Sequence, residues 1–278
     1  MEISQGEERY PKEWDSLPDA PKTVYAIGDT TLFRERKFTV VGSRRTPTQA
    51  LKLGSQICAE ICGSFTLVTG TADGGDGAAI EGALFAGGKV ICVLAGGFSA
   101  IPQGNIAILE KVAQNGLLLS PHAYDTPVRS FSYEYRNKLL AALGEGTLVL
   151  GAAEKSGALI TAKYALQFKR PVFALPYFPG VSAGAGCNAL LKKGGVLTEN
   201  SFDILNAFGI NCIEKKREVV LTESERTLLD FLKDRSESHA VELSQATGIP
   251  VFKLRAILSA MEVKGVIVSL GGNRYAPL

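Results

Sequence analysis

Two short stretches place cations directly behind a turn. Residues 38–50, FTVVGSRRTPTQA, run an apolar strand into Gly42, Ser43, Arg44 and Arg45. Residues 152–166, AAEKSGALITAKYAL, put Lys155, Ser156 and Gly157 after the apolar TLVLG. In both, a strand ends, the chain turns and a helix begins. Free backbone N–H groups at a helix start attract an anion, and the helix dipole adds to the attraction. An arginine beside them forks onto two phosphate oxygens, while a lysine adds a point charge. The chemistry is that of holding a phosphate. Read alone, either turn serves equally as a tight connection with solvated cations; two basic turns on one edge favour the phosphate.

Other stretches are more ambiguous. FSYEYRNKLLAAL (131–143) sets Arg136, Asn137 and Lys138 behind Phe131, Tyr133 and Tyr135. Aromatic rings beside cations can stack bases, yet an amphipathic helix with a solvated basic end explains the same residues. GTADGGDGAA (70–79) is rich in glycine but has neither the Gly-Lys-Ser/Thr of a P-loop nor the GxGxxG of a dinucleotide turn. Asp73 and Asp76 make it acidic, which opposes phosphate. Its glycines are expected to let a helix approach a strand closely. YFPGVSAGAGCNALLKKGG (177–195) either folds over the strand ends or is a plain connection.

No catalytic set emerges: there is no GxSxG elbow, no HExxH and no Ser-His-Asp arrangement. The two histidines, His122 and His239, cannot build a histidine-rich metal site. Cys58 and Cys62 stand one helical turn apart without a second pair, and with Cys92, Cys187 and Cys212 they are expected as free thiols. The sequence therefore predicts no catalytic residue, no metal and no cofactor.

These residues need a scaffold, and the hydrophobic pattern supplies one. Apolar runs at 38–42, 65–70, 89–97, 116–120, 146–152 and 170–176 alternate with helical stretches at 48–62, 76–86, 104–114, 132–143 and 157–168. Strands apolar throughout, alternating with helices, predict a mainly parallel sheet covered on both faces. The fold class is α/β, an extended Rossmann-like doubly wound domain over residues 1–210, with 1–37 as its opening segment. Ligands in such sheets bind beyond the carboxyl ends of the strands, where both basic turns fall.

Residues 211–221 read as a charged linker. Residues 222–278 read as three short helices and a hairpin, the order of a winged helix. Thr222 and Glu225 form a capping box, and Pro250 suits the first turn of a helix whose apolar face is Leu254, Ile257, Leu258 and Met261. Gly271-Gly272-Asn273 is a hairpin turn. This part carries ten Lys or Arg against nine Asp or Glu over 214–278, which favours a protein-contact role over groove reading of duplex DNA. The whole chain has a formal charge of +2, so nucleic-acid binding needs a local patch. No apolar run suffices to span a bilayer, and MEISQGEERYPKEW lacks a signal core. The expected location is the cytoplasm.

The ordered set of motifs resembles the DNA-processing protein A family (DprA, also called Smf) over nearly the whole chain. VVGSRR (40–45) is similar to the family's Val-Gly-Ser-Arg turn, and VTGTADGGDGAAIEGAL (68–84) to its Ser-Gly-x-Ala-x-Gly-x-Asp segment. YPKEWDSLPDAPKTVYAIGD (10–29), IPQGNIAIL (101–109), NGLLLS (115–120), FSYEYRNKLLAAL, EKSGALITAKYA (154–165) and GCNALLKKGGVL (186–197) follow in register. The resemblance implies a homodimer that binds single-stranded DNA without base specificity and loads the RecA recombinase in natural transformation and recombination. It does not imply an enzyme. Carried over, Arg44 and Lys155 hold phosphates, Gly42, Ser43, Ser156 and Gly157 shape the turns, Arg136 and Asn137 match the family's Arg-Asn pair, and Arg45 stands beside them. The chain departs from the family at Asp73 and Glu81, where basic residues are usual, at Ile80 for a histidine, at Ile101 for a tyrosine and at Pro121 for a glutamate.

Two other readings use the same residues. One is a small-nucleotide sensor or hydrolase working in the same crevice, although LAGGFSAIPQG (94–104) lacks the Pro-Gly-Gly-x-Gly-Thr loop of related nucleotide hydrolases. The other is a transcriptional regulator whose winged helix reads duplex DNA.

Overall fold

The computed structural model describes residues 1–210 and 221–277. The chain divides into two compact units, Met1–Cys212 and Ile213–Leu278. The expected linker lies outside the described residues except for Leu221, and so does Cys212.

The first unit runs β1 (Glu2–Ser4), α1 (Lys12–Asp15), β2 (Thr23–Gly28), β3 (Lys37–Val41), α2 (Thr48–Ile61), β4 (Thr66–Thr69), α3 (Gly75–Phe85) and β5 (Val90–Val93). It continues through α4 (Ile106–Asn115), β6 (Leu117–Ser120), α5 (Ser130–Leu143), β7 (Thr147–Val149), α6 (Gly157–Gln167), β8 (Val172–Ala174), α7 (Ala185–Lys192), β9 (Val196–Leu197) and α8 (Ser201–Ala207). Every residue of β3, β4, β5 and β6 is buried. That is the mark of strands covered on both faces, and their pairing is parallel.

The sheet has nine strands in the order β1-β2-β6-β5-β4-β3-β7-β8-β9. β1 and β2 are its antiparallel part. The opening segment thus contributes two strands that its sequence does not announce. β1 buries only Ile3 between Glu2 and Ser4, too short a run to show a period.

Alternate side chains feed two cores. Phe38, Val40, Leu67 and Cys92 pack with α2, α3 and α4 through Ile57, Ile80 and Leu109. Val41, Val68, Ile91 and Val93 face α5 and α6 through Leu139, Leu140 and Ala162. Trp14 joins this second core and donates its indole N–H to Leu139 O at 3.0 Å. The four cysteines among the described residues are free, with Cys58, Cys92 and Cys187 buried. No helix among the described residues is long and apolar enough to cross a membrane.

The second unit comprises α9 (Glu223–Arg235), β10 (Ser238–His239), α10 (Ala240–Thr247), α11 (Val251–Val263), β11 (Ile267–Gly271) and β12 (Arg274–Pro277). The expected three helices and hairpin are present, and β10 adds a third antiparallel strand in the order β10-β12-β11. Leu228, Leu232, Leu243, Leu254, Leu258 and Met261 form its core. The Thr222–Glu225 capping box opens α9. Pro250 is the N-cap of α11 and does not enter its first turn. Gly272 and Asn273 both take positive φ, as a tight hairpin turn requires.

Candidate functional site

β3 lies between β4 and β7. From β3 the chain builds outward to β6, then returns to place β7 on the other side. The loops leaving β3 and β7 diverge, and a crevice opens where the winding changes direction. It is a cleft of about 420 Å³, and it brings together Gly42, Ser43, Arg44, Arg45, Arg136, Asn137, Ser156 and Gly157. Lys155 does not line it.

The first turn is built by its own hydrogen bonds. Ser43 N donates to Gly151 O at 2.8 Å, tying the turn to the end of β7. Ser43 Oγ accepts from Arg45 N at 3.1 Å, and Ser43 O accepts from Thr46 Oγ1 at 2.8 Å. Ser43 therefore shapes the turn, as expected. The start of α3 presses against it: a Cβ on Gly75 would lie 2.3 Å from Gly42 Cα, and one on Gly74 would lie 2.5 Å from Ser43 O. Gly74 also has φ +81°, a conformation that favours glycine. The glycines of 70–79 thus serve close approach, as their sequence predicts. Arg44 and Arg45 are exposed. Among the described residues neither guanidinium makes a hydrogen bond or ion pair, so both are available to an anion.

Beneath the turns lies a buried polar brace. Asn137 Nδ2 donates to Gly157 O at 3.1 Å, and Asn137 Oδ1 accepts from Arg136 Nε at 3.0 Å. Arg136 Nη1 donates to Val93 O at 3.1 Å. Asp76 accepts from Gly42 N and Ala72 N, each at 3.3 Å. Arg136 and Asp76 close around Gly70, where a Cβ would stand 2.2 Å from Arg136 Nη1 and 2.3 Å from Asp76 Oδ2. Burial pushes the Asp76 carboxyl up and the Arg136 guanidinium down, and each opposes the other's shift. The brace joins the ends of β3, β4 and β5 to the start of α6. The resemblance set Arg136 and Asn137 beside the pocket, which they line, but other expectations for these members are not met. The solvated basic end read for 131–143 is not found, because Arg136 and Asn137 are buried and Lys138 pairs with Asp19. Asp76 is not an acidic wall either, since it is buried and occupied.

At the second turn Ser156 caps α6, its Oγ accepting from Ala158 N at 3.3 Å. Lys155 is exposed, without a hydrogen bond or ion pair among the described residues, and lines a neighbouring cleft with Ala153, Tyr177 and Val181. The 177–195 segment folds against the strand ends, because Tyr177 Oη donates to Leu150 O at 2.6 Å.

Three further polar residues complete the main cleft, of which only Thr161 is not singled out by a sequence motif. Tyr133 lines it and is 43% exposed. Thr161 lines it with a hydroxyl that is buried and unpartnered. Asp76 carried a signal in retrospect, a carboxylate inside GDGAAI, where every neighbour is glycine or apolar.

A family model, DNA recombination-mediator protein A, matches residues 2–209. The DNA processing protein DprA of Bacillus subtilis is 36% identical over 171 residues, covering 60% of this chain and 58% of that protein. Protein Smf of Synechocystis is 34% identical over 200 residues, covering 69% of this chain and 50% of its own. This chain therefore spans about half the length of these relatives. The DprA crystal structure from Streptococcus pneumoniae superposes with a TM-score of 0.71 at 30% identity, covering 74% of this chain and 73% of that one. A structure from Helicobacter pylori, described for its single-stranded DNA binding mode, superposes at 0.67 with 28% identity, covering 76% and 98%. With the family model matched across the first unit and these solved relatives sharing its architecture, the chain belongs to the DNA recombination-mediator protein A family.

Proposed function

We propose that the chain binds single-stranded DNA by its phosphates in the cleft between the ends of β3 and β7, and delivers the strand for recombination. The observation that carries this is the pair of exposed, unpartnered guanidiniums of Arg44 and Arg45 on a turn held rigid from below. Family membership and the Helicobacter pylori relative support single strands as the polymer. Lys155 extends the track into the neighbouring cleft. Phosphate contacts carry no base information, so most of the affinity is independent of sequence.

In the same reading the protein is a cytoplasmic homodimer that loads the RecA recombinase in DNA uptake and recombination, and it catalyses no reaction. The second unit is a winged helix that contacts protein. α11 offers duplex DNA only Lys253 and Arg255, while its Phe252 is 73% exposed.

The test is binding of labelled oligo-dT to wild type, Arg44→Ala and Lys155→Ala across a salt series, with duplex competitor. Wild type should bind the single strand preferentially, with an affinity that falls as salt rises. Each substitution should weaken binding and reduce the magnitude of the log–log salt slope by about 0.7. Absence of binding at low salt by folded protein would overturn the proposal and direct the search to a mononucleotide in the same cleft.

A further inference from the structure

The phosphate cleft has a neighbour beyond the ends of β4 and β5, a pocket of about 280 Å³. The two share Arg44, Ala72, Tyr133 and Arg136, so one bound nucleotide can occupy both. Their chemistry differs. Among the described residues the only carboxylate lining the phosphate cleft is Asp76, which is buried and hydrogen-bonded to backbone amides. The second pocket has apolar walls, including Leu94, Ile101 and Val128, the ring of Tyr133, and the exposed carboxylate of Asp73.

Asp73 makes no hydrogen bond or ion pair with the described protein. Two of the other polar groups there are engaged, Asn105 Nδ2 donating to Thr71 O at 2.5 Å and Arg136 Nη1 to Val93 O, while Arg44 on the shared wall stays available to the phosphate. A second phosphate would be repelled by Asp73. A flat, neutral ring bearing N–H donors would be accepted, its edge on the carboxylate and its face on apolar walls and tyrosine.

Building on the single-stranded DNA reading, we propose that this pocket takes the base of the nucleotide whose phosphate Arg44 holds, and that Asp73 selects bases with an exocyclic amino group over thymine. A carboxylate accepts from cytosine N4, as it can from adenine N6, whereas thymine presents the O4 acceptor at the corresponding position. The preference acts at one base per site and is superimposed on sequence-independent phosphate binding.

The experiment compares oligo-dC with oligo-dT of equal length by competition anisotropy, at pH 8 to keep oligo-dC unfolded. The proteins are wild type, Asp73→Ala and Asp73→Asn. Comparing two pyrimidine polymers limits differences in stacking. Wild type should favour oligo-dC by about fivefold or more. Asp73→Ala should bring the ratio near one, chiefly by improving oligo-dT. Asp73→Asn, whose amide can donate to thymine O4, should also lose the preference while keeping the size of the side chain. A wild-type ratio of one overturns the selection, and so does an equal gain for both polymers in Asp73→Ala, which would make Asp73 a general repulsive charge. Absence of binding to either polymer overturns the DNA reading as well, so the two failures are distinguishable.

Discussion

The two ends of β3 carry similar cations and treat them in opposite ways. At its start Arg36 forks onto Glu145 at 2.6 and 3.1 Å and lies over the Phe65 ring, 4.8 Å from its centroid. Lys37 is buried, pairs with Glu13 at 2.8 Å and donates to Phe33 O and Glu35 O. Arg34 is matched by Glu8. At the other end Arg44 and Arg45 have no carboxylate on them among the described residues, although Asp73 and Asp76 lie in the adjoining segment. Asp76 is turned inward to backbone amides and Arg136, and Asp73 lines the next pocket. Near-neutral net charge therefore hides a division: cations at one end are consumed by the fold, and cations at the other remain for a ligand. What separates them is where the acids point.

The hardest way to break this division is to remove the buried acid. Asp76→Ala leaves Arg136 buried without its nearby counter-charge and the amides of Gly42 and Ala72 without their acceptor, at a cost of about 1–3 kcal/mol for each buried group left unsatisfied. Urea unfolding should show the full drop. Adding Arg136→Met to Asp76→Ala should recover part of it, and a double variant as unstable as the sum of the two singles would show that the residues do not act as a pair. Smaller in energy but sharper in function is Arg44→Glu. Stability should hardly change, since the side chain has no partner to lose, while affinity for single-stranded DNA should fall by about tenfold to a hundredfold, in line with losing one or two charge-assisted hydrogen bonds. Arg36→Ala at the opposite end should cost at most about 1 kcal/mol, because its pair with Glu145 is exposed. DNA affinity should not respond. If Arg36→Ala weakened DNA binding as much as Arg44→Glu, charge anywhere on the unit would suffice and the comparison would collapse.

Much of this arrangement was readable from residue order. Continuous apolar runs such as FTVV and LLLS identify buried parallel strands, and a strand–turn–helix with arginines behind a glycine names its own position at the carboxyl edge. Three things were not readable. Arg136 and Asn137 sit in a helix whose neighbours are apolar on several sides, so local sequence gives no exposed face to assign them; their burial depends on Asp76, Val93 and Gly157, each on a different segment. Asp76 looked like repulsion because a sequence shows a charge but not its direction. Lys155 falls in the neighbouring cleft because the Ser156 cap starts α6 immediately after it and the Tyr177 segment closes beside it. Local pattern set the edge; contacts between distant segments decided which polar groups became structure and which stayed free.

The second unit allows the mildest test, because it repeats the consumed-cation arrangement on a helix end. Lys264 Nζ donates to both oxygens of the buried Glu225 carboxylate, at 2.6 and 2.8 Å, and Thr222 N donates to the same carboxylate at 2.7 Å. The Lys264 hydrogen bond, followed by that from Thr222, holds the Glu225 carboxyl below its usual range. A depressed acid stabilises the fold fully above its unfolded pKa, and that contribution is lost as pH falls through the lower folded value. Acidification should therefore loosen α9 and its cap, and Glu225→Gln should impose part of that loss at neutral pH. The units can be followed separately, because the single tryptophan, Trp14, is buried in the first. Tryptophan fluorescence in urea should be the same for wild type and Glu225→Gln at pH 7, while circular dichroism should show an earlier helical transition in the variant. The gap between the variants should close as pH drops below the carboxylate range. A gap that persisted at low pH would mean that the glutamine disturbs packing, and that Glu225 does not act through its charge.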